Sequence, residues 1–149
     1  MALRKISKRE INELLREQRI VRVAFDALGE RYLVPLGYVW FEGSLCAVTT
    51  HGRKTRMAKN NPQVSFQVDD SVEKGLFGWK SVSGEGTVEF VTDPTEIDRI
   101  SPVLFGQFPD IPEWARREYA DKQASGELVW IRIQPTRVTG RASVGLERT

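Results

Sequence analysis

The 149-residue sequence predicts a single domain, residues 1–149, that is mainly β with α additions. Three observations favour a small antiparallel barrel of six or seven strands. Short segments of alternating apolar and polar residues recur along the chain, tight turns separate them, and one long strand carries internal glycines. Long, bent strands suit a barrel better than an open sandwich.

The composition excludes several classes of protein. Twenty-two Lys and Arg against 20 Asp and Glu give a net charge of +2, which is too even to predict nucleic-acid binding. The single cysteine and single histidine provide no internal disulfide and no zinc ligand set. No apolar run approaches the roughly 18 residues of a membrane span, and the first residues do not resemble a signal peptide. We therefore expect a cytoplasmic protein with no membrane partner.

The first half of the chain predicts one helix followed by a meander of strands. Ser7 and Glu10 have the spacing of a capping box, which begins a helix that we expect to end near Arg19. Three strands come next. The first begins at residue 20, the second covers 32–41 and the third covers 45–50, with turns at 28–30 and 42–44 between them. Pro35 has no N–H for a ladder and should lie at an edge, at a bulge or where something other than a strand approaches.

The second half predicts a short helix over 52–60, a half-buried strand over 63–69 and a loop over 71–78. A long strand over 79–91 contains Gly84 and Gly86, which indicate a bulge. Asp93 and Pro94 begin another helix. The chain after this helix start should be broken into short pieces by prolines 102, 109 and 112, and the last piece should cover 113–124. We expect two final strands, 128–133 and 137–141, separated by Pro135.

The segment Thr49-Thr50-His51-Gly52-Arg53-Lys54 is the strongest candidate for a binding site. It combines two hydroxyls, a glycine and adjacent Arg and Lys side chains at the start of a helix. Free N–H groups and the helix dipole favour an anion there, and Arg53 and Lys54 would add charged donors to a phosphate. A solvated basic turn is the alternative interpretation.

Trp79, followed by Lys80 and Ser81, is a second candidate because an aromatic ring beside a cation and a hydroxyl could wall a flat ring system. A core or interface tryptophan is the alternative interpretation, and it is the commoner environment for a single tryptophan. His51 stands alone, so neither a catalytic triad nor a metal site is predicted, and we name no catalytic residue. Cys46 is interpreted as a small buried hydrophobe.

Together these segments resemble the flavin-binding split barrels related to pyridoxamine 5′-phosphate oxidase. The resemblance extends from Ile6 to about Arg141. It is carried by segments 29–38, 49–54, 60–66, 81–86 and 135–140 in this order and spacing.

The resemblance implies a split β-barrel that forms a homodimer with two FMN sites at its interface. It implies that the strand Val34, Pro35, Leu36, Gly37 and Tyr38 lies along the edge of the flavin ring. The phosphate would be held by Thr49, Thr50, Arg53 and Lys54. Trp79, Lys80 and Ser81 would come from the partner subunit and close the ring pocket.

Two departures from the oxidase argue against oxidation of vitamin B6. The C-terminal segment from Arg141 to Leu146 has no histidine, and an arginine of the oxidase's flavin strand is replaced near Val34. The resemblance therefore implies an FMN-dependent oxidoreductase with another small-molecule substrate. Related barrels bind a deazaflavin, FAD or haem, so a deazaflavin-dependent reductase and a non-catalytic flavin carrier remain alternatives.

Overall fold

A computed structural model describes residues 2–144. It contains eight strands, β1 (Ala2–Lys5), β2 (Ile20–Ala27), β3 (Glu30–Gly37), β4 (Val39–Phe41), β5 (Ser44–Thr50), β6 (Gln63–Asp69), β7 (Lys80–Val91) and β8 (Leu128–Val144). The helices are α1 (Lys8–Glu17), α2 (Arg53–Asn60), α3 (Ser71–Lys74), α4 (Pro94–Gly106) and α5 (Glu113–Ala124).

All the strands belong to one antiparallel sheet with the order β3-β2-β6-β7-β8-β5-β4, and β1 pairs with the end of β8. β3 and β4 lie at opposite ends of this order, yet only Tyr38 separates them in the chain. The sheet therefore curls back on itself, and no ladder joins β3 to β5 in the part of the chain described. The split-barrel fold class is confirmed.

The barrel interior is built from the buried faces of the alternating strands, closed at one end by α1. Ser7 caps α1, and the predicted capping box with Glu10 is present. Leu14 and Leu15 of this helix are buried against the strands. The phenol of Tyr38, completely buried, donates a hydrogen bond of 2.6 Å to the carbonyl of Leu15. Tyr38 thus fastens α1 to the point where the sheet turns back.

A second, smaller apolar cluster lies between α4 and the strands β4, β5 and β8. It contains Ile100 and Leu104 of α4 together with Cys46 and Trp130 of the sheet. Burial raises the pKa of the Cys46 thiol to about 11, which agrees with its interpretation as a small hydrophobe.

The final strand corrects one prediction. The sequence predicts two strands separated by Pro135, but β8 is continuous from Leu128 to Val144. The β7–β8 register shifts between Glu85 and Gly86, so Thr136 is an extra residue beside Pro135. This bulge, which the glycines of β7 predict, removes the need for an N–H at the proline.

Three smaller differences have local causes. Residues 71–78, predicted as a loop, contain the single turn α3. Pro102 lies inside α4 and does not break it. The proline has no N–H for the carbonyl of Asp98, but both residues are exposed, so water can bond that carbonyl instead. Strand β1 is not predicted by the sequence because all four of its residues are exposed and show no apolar alternation.

None of the described helices has the length and apolar character needed to cross a bilayer.

Candidate functional site

The candidate site is the cleft between β3 and β5, where the barrel is split. The N–H of Tyr38 bonds the carbonyl of Arg19 at 2.9 Å, which fixes the direction of the backbone groups at the end of β3. By alternation, Pro35 and Gly37 turn their backbone groups away from β2 towards the open edge. Pro35 therefore lies on an edge strand, as predicted, and β3 offers the cleft unpaired backbone groups.

One end of the cleft is the first turn of α2. Gly52 caps this helix, its N–H donates to Thr55 Oγ1 at 3.0 Å, and the first turn contains no acidic residue. Within the described chain, the N–H groups of residues 53–55 have no protein acceptor. Such a helix start favours an anion, both through its free donors and through its dipole.

Arg53 connects this helix start to the beginning of β3. Its Nη2 lies 3.0 Å from Oε2 of Glu30, and its guanidinium lies 4.3 Å from the centre of the Tyr32 ring. Both charged side chains remain about half exposed. Arg53 is thus held at the mouth of the cleft, with a carboxylate as its present partner.

The other residues predicted around the phosphate lie beside Arg53 in the chain. Thr49 and Thr50 end β5, opposite Val129 and Leu128 of β8, and Thr50 is exposed. Lys54 is half buried in the first turn of α2 and makes no ion pair with a described residue. The short span from Thr49 to Lys54 therefore brings hydroxyls, N–H groups and cations to one end of the cleft.

The residues of β3 predicted to follow the ring alternate in exposure. Leu36 and Tyr38 are buried in the barrel, Val34 is half buried, and Pro35 and Gly37 are exposed. Burial also raises the pKa of the Tyr38 phenol. The side chains of Leu36 and Tyr38 therefore support the strand from behind, and the cleft meets its backbone.

Trp79, Lys80 and Ser81 do not meet these residues within one chain. They lie at or just before the start of β7, three strand spacings from β3 in the sheet order, which is about 14 Å measured along the sheet. Lys80 Nζ pairs with Glu10 at 3.3 Å, and Ser81 Oγ accepts a hydrogen bond from Gln67 at 2.9 Å. Their described partners are therefore residues of α1 and β6 and not of the cleft.

An apolar cavity that no sequence pattern predicts lies at the other end of the cleft. Gly37 and Val48 form one side of it, and residues of α4, α5 and the segment between them form the other. Phe108 approaches so closely that a Cβ on Gly37 would lie 3.1 Å from its ring. Trp114 of α5 is 70% exposed at the cavity's rim.

His51 is exposed, and residues 2–144 contain no group of His, Cys, Asp and Glu side chains that could hold a metal ion. The cleft therefore offers anion donors at one end, an open strand edge along its length and an apolar cavity at the other end. This arrangement suits an elongated ligand with a charged tail and a flat body.

Comparison with known proteins agrees with this fold. The chain is 30% identical to an FAD-binding protein from Mesorhizobium loti, over 95% of this chain and 98% of that one, with a TM-score of 0.74. An FAD binding protein from Mycobacterium smegmatis shows 21% identity, coverage of 94% and 97%, and a TM-score of 0.62. A conserved hypothetical protein from Mycobacterium tuberculosis shows 21% identity, coverage of 91% and 84%, and a TM-score of 0.74. The last two likenesses establish the fold alone.

No curated protein matches the sequence. The family model described as pyridoxamine 5′-phosphate oxidase matches residues 7–142, nearly the whole chain. The chain belongs to the pyridoxamine 5′-phosphate oxidase family.

Proposed function

We propose that this protein is a flavoprotein that binds FMN in the cleft, with the phosphate at the start of α2. One observation carries the proposal: the free N–H groups of α2, the side chain of Arg53 and the open edge of β3 meet at the same end of the cleft. A phosphate satisfies the donors that no described residue satisfies.

The length of β3 supports the orientation. Tyr32, beside Arg53, and Gly37, beside the apolar cavity, are five residues apart. At about 3.3 Å per residue this is a span of about 16 Å, enough for an extended nucleotide with its ring towards Gly37. The backbone groups of Pro35 and Gly37 would then orient the ring edge.

We further propose an oxidoreductase whose substrate is not vitamin B6. A bound flavin supplies hydride-transfer chemistry, and the chain contributes binding, orientation and exclusion of water. We assign no described side chain of the cleft as an acid or base. The role of Arg53 and Lys54 is to hold the phosphate, and that of β3 is to position the ring. A cytoplasmic location stays a prediction from the sequence.

A homodimer completes this proposal. Trp79, Lys80 and Ser81 lie three strands away from β3 in the sheet order and have their described partners outside the cleft, so we assign them to the pocket of a second copy. Exposed apolar side chains give the second copy a surface to cover, including Leu33 on β3 and Phe77 in the loop before Trp79, which are 68% and 54% exposed. Sedimentation equilibrium should give twice the mass of the chain.

FAD is the second candidate, because the Mesorhizobium loti protein with 30% identity is described as FAD-binding. In that case the start of α2 would hold a diphosphate and not a terminal phosphate. A deazaflavin and a flavin carrier without turnover stay as alternatives. Mass spectrometry of the copurified cofactor separates FMN, FAD and the deazaflavin, and reoxidation of a reduced flavin by an added acceptor separates an enzyme from a carrier.

Replacing Lys54 by alanine tests the phosphate site. Loss of a charge-assisted contact should cost about 1.5 to 3 kcal/mol, so the FMN dissociation constant should rise by about 10- to 150-fold. Titration of the cofactor-free protein, followed by flavin fluorescence, gives this constant for FMN and for riboflavin, which has no phosphate. Riboflavin affinity should not change.

Arg56→Ala is the matched control, since Arg56 is a basic, exposed residue of the same helix whose N–H already bonds the Gly52 carbonyl. It should leave both affinities close to those of the wild type. Unchanged FMN affinity in Lys54→Ala, or equal losses for FMN and riboflavin, would contradict a phosphate at the start of α2.

A further inference from the structure

The cavity at the Gly37 end of the cleft has a volume of about 330 Å³. This is within the roughly 300 to 1,000 Å³ of ordinary small-molecule sites. Phe108, Trp114 and Tyr119 supply aromatic walls, and Gly37 and Val48 form the side towards the cleft. None of the described residues that line it is acidic or basic. The cavity therefore differs in chemistry from the cationic start of α2.

Helix α5, which forms the outer wall, is held loosely. None of its residues is buried. Tyr119 of α5 makes an edge-to-face contact with Phe105 of α4, at 5.5 Å between ring centres. Trp130 Nε1 of β8 donates a hydrogen bond of 2.9 Å to Gln123 of α5. Trp114 lines the cavity and yet is 70% exposed, so its indole lacks an apolar partner on one face. A wall of this kind can adjust to an occupant.

We propose that this cavity binds an uncharged aromatic small molecule, packed between the Trp114 and Phe108 rings beside Gly37. Aromatic walls favour a flat apolar ligand. A carboxylate or phosphate would lose its hydration there without gaining an ionic partner. The further statement that this molecule is the substrate, lying next to the cofactor ring, rests on the proposed function; binding in the cavity does not.

The test uses indole as an uncharged probe and indole-3-carboxylate as its charged counterpart. Both are titrated into the ¹⁵N-labelled full-length protein, and amide and indole N–H resonances are followed by NMR. Indole should give saturable shifts at the Gly37 amide and the Trp114 indole N–H. Indole-3-carboxylate should bind at least about tenfold more weakly than indole, because its charge must be desolvated.

Ala115→Trp places a large side chain in the cavity from α5 and should abolish the indole shifts at Gly37. Ala120→Trp is the matched control, because Ala120 belongs to the same helix but lines a neighbouring cavity beside Trp130 and Gln123. It should leave indole binding at Gly37 unchanged. Trp114→Ala, at an exposed position, provides a second variant that should fold and should weaken indole binding by about tenfold through loss of one aromatic wall.

The proposal is overturned if indole produces no saturable shifts, if its shifts centre on the Trp130 indole N–H, or if both probes bind equally well. It is also overturned if Ala120→Trp and Ala115→Trp have the same effect. An FMN titration of each variant keeps the two proposals apart. Indole binding without FMN binding would reject the proposed cofactor and keep the cavity, whereas FMN binding without indole binding would do the reverse.

Discussion

The two ends of the β3 cleft are built in opposite ways. At the polar end, Thr50, Arg53 and Lys54 come from one short segment that ends a strand and begins a helix. At the apolar end, Gly37, Val48, Phe108 and Trp114 come from separate parts of the chain. The polar end is attached to the barrel by hydrogen-bonded secondary structure, whereas the apolar end depends on a helix with no buried residue. The two ends should therefore differ in rigidity and in response to substitution.

The largest effect that tests this contrast is expected from two matched removals of a tyrosine hydroxyl. Tyr38→Phe leaves the buried Leu15 carbonyl without its 2.6 Å hydrogen bond, so the free energy of unfolding should fall by about 1 to 3 kcal/mol. Tyr119→Phe removes a hydroxyl from α5 that has no hydrogen-bond partner among the described residues. Its cost should be about 0.5 kcal/mol or less. Urea denaturation measures both.

Equal costs in the two variants would break the comparison, because they would mean that α5 is as firmly coupled to the barrel as Tyr38 is. Hydrogen exchange gives an independent check on the same samples. Amides of α5 should exchange faster than those of α2.

The same contrast explains which parts of the molecule sequence reasoning could reach. Local patterns, such as alternation, capping residues and turn residues, predict strands β2, β5, β6 and β7, the cap of α1 and the bounds of α5. The adjacent charges of residues 49–54 likewise predict an anion site, which stays a prediction. Local patterns also placed Pro35 at an edge and a bulge beside Gly84 and Gly86. These features depend on residues close together in the chain.

The remainder depends on tertiary contacts that no local pattern records. Pro135 breaks a strand on propensity alone, but the bulge opposite Gly86 lets β8 continue through it. The cavity beneath α5 has no sequence signal, because its lining residues come from β3, β5, α4, α5 and the segment between the two helices. The pairing of Arg53 with Glu30 also has no sequence signal, since it joins residues on different elements.

A smaller effect is expected at the polar end from Glu30→Gln. The carboxylate of Glu30 competes with a phosphate for Arg53, and both side chains are exposed, so their pair contributes about 0.2 to 1 kcal/mol. Its removal should tighten FMN binding by about 1.5- to 5-fold and leave riboflavin binding unchanged. Asp26→Asn is the control, because Asp26 pairs with Arg31 in the same hairpin and does not contact Arg53. Weaker FMN binding in Glu30→Gln would show that Glu30 positions Arg53 for the phosphate, and would contradict competition.

The smallest effect is expected in acid, and it comes from Glu10 on helix α1, which closes one end of the barrel. Glu10 of α1 accepts a hydrogen bond from Arg4 of β1, bonds the Ser7 backbone and pairs with Lys80 of β7. These contacts lower its pKa from an ordinary 4.5 to about 2, the hydrogen bond from Arg4 having the largest influence. The unfolded chain therefore takes up a proton at this residue more readily than the folded chain does.

The contribution of Glu10 to stability is consequently complete above pH 4.5 and is lost as the pH falls towards 2. Glu10→Gln should show a shallower decline of the unfolding free energy across this window than the wild type. Glu13→Gln, which removes only the exposed pair with Arg9 on the same helix, should follow the wild-type curve. Because α1 and β7 join at Glu10, loosening in acid should appear first in the amide exchange of α1 and β1. Earlier loss of protection in α1 than in β3 would assign the effect to this cluster, whereas a uniform loss would assign it to the whole barrel.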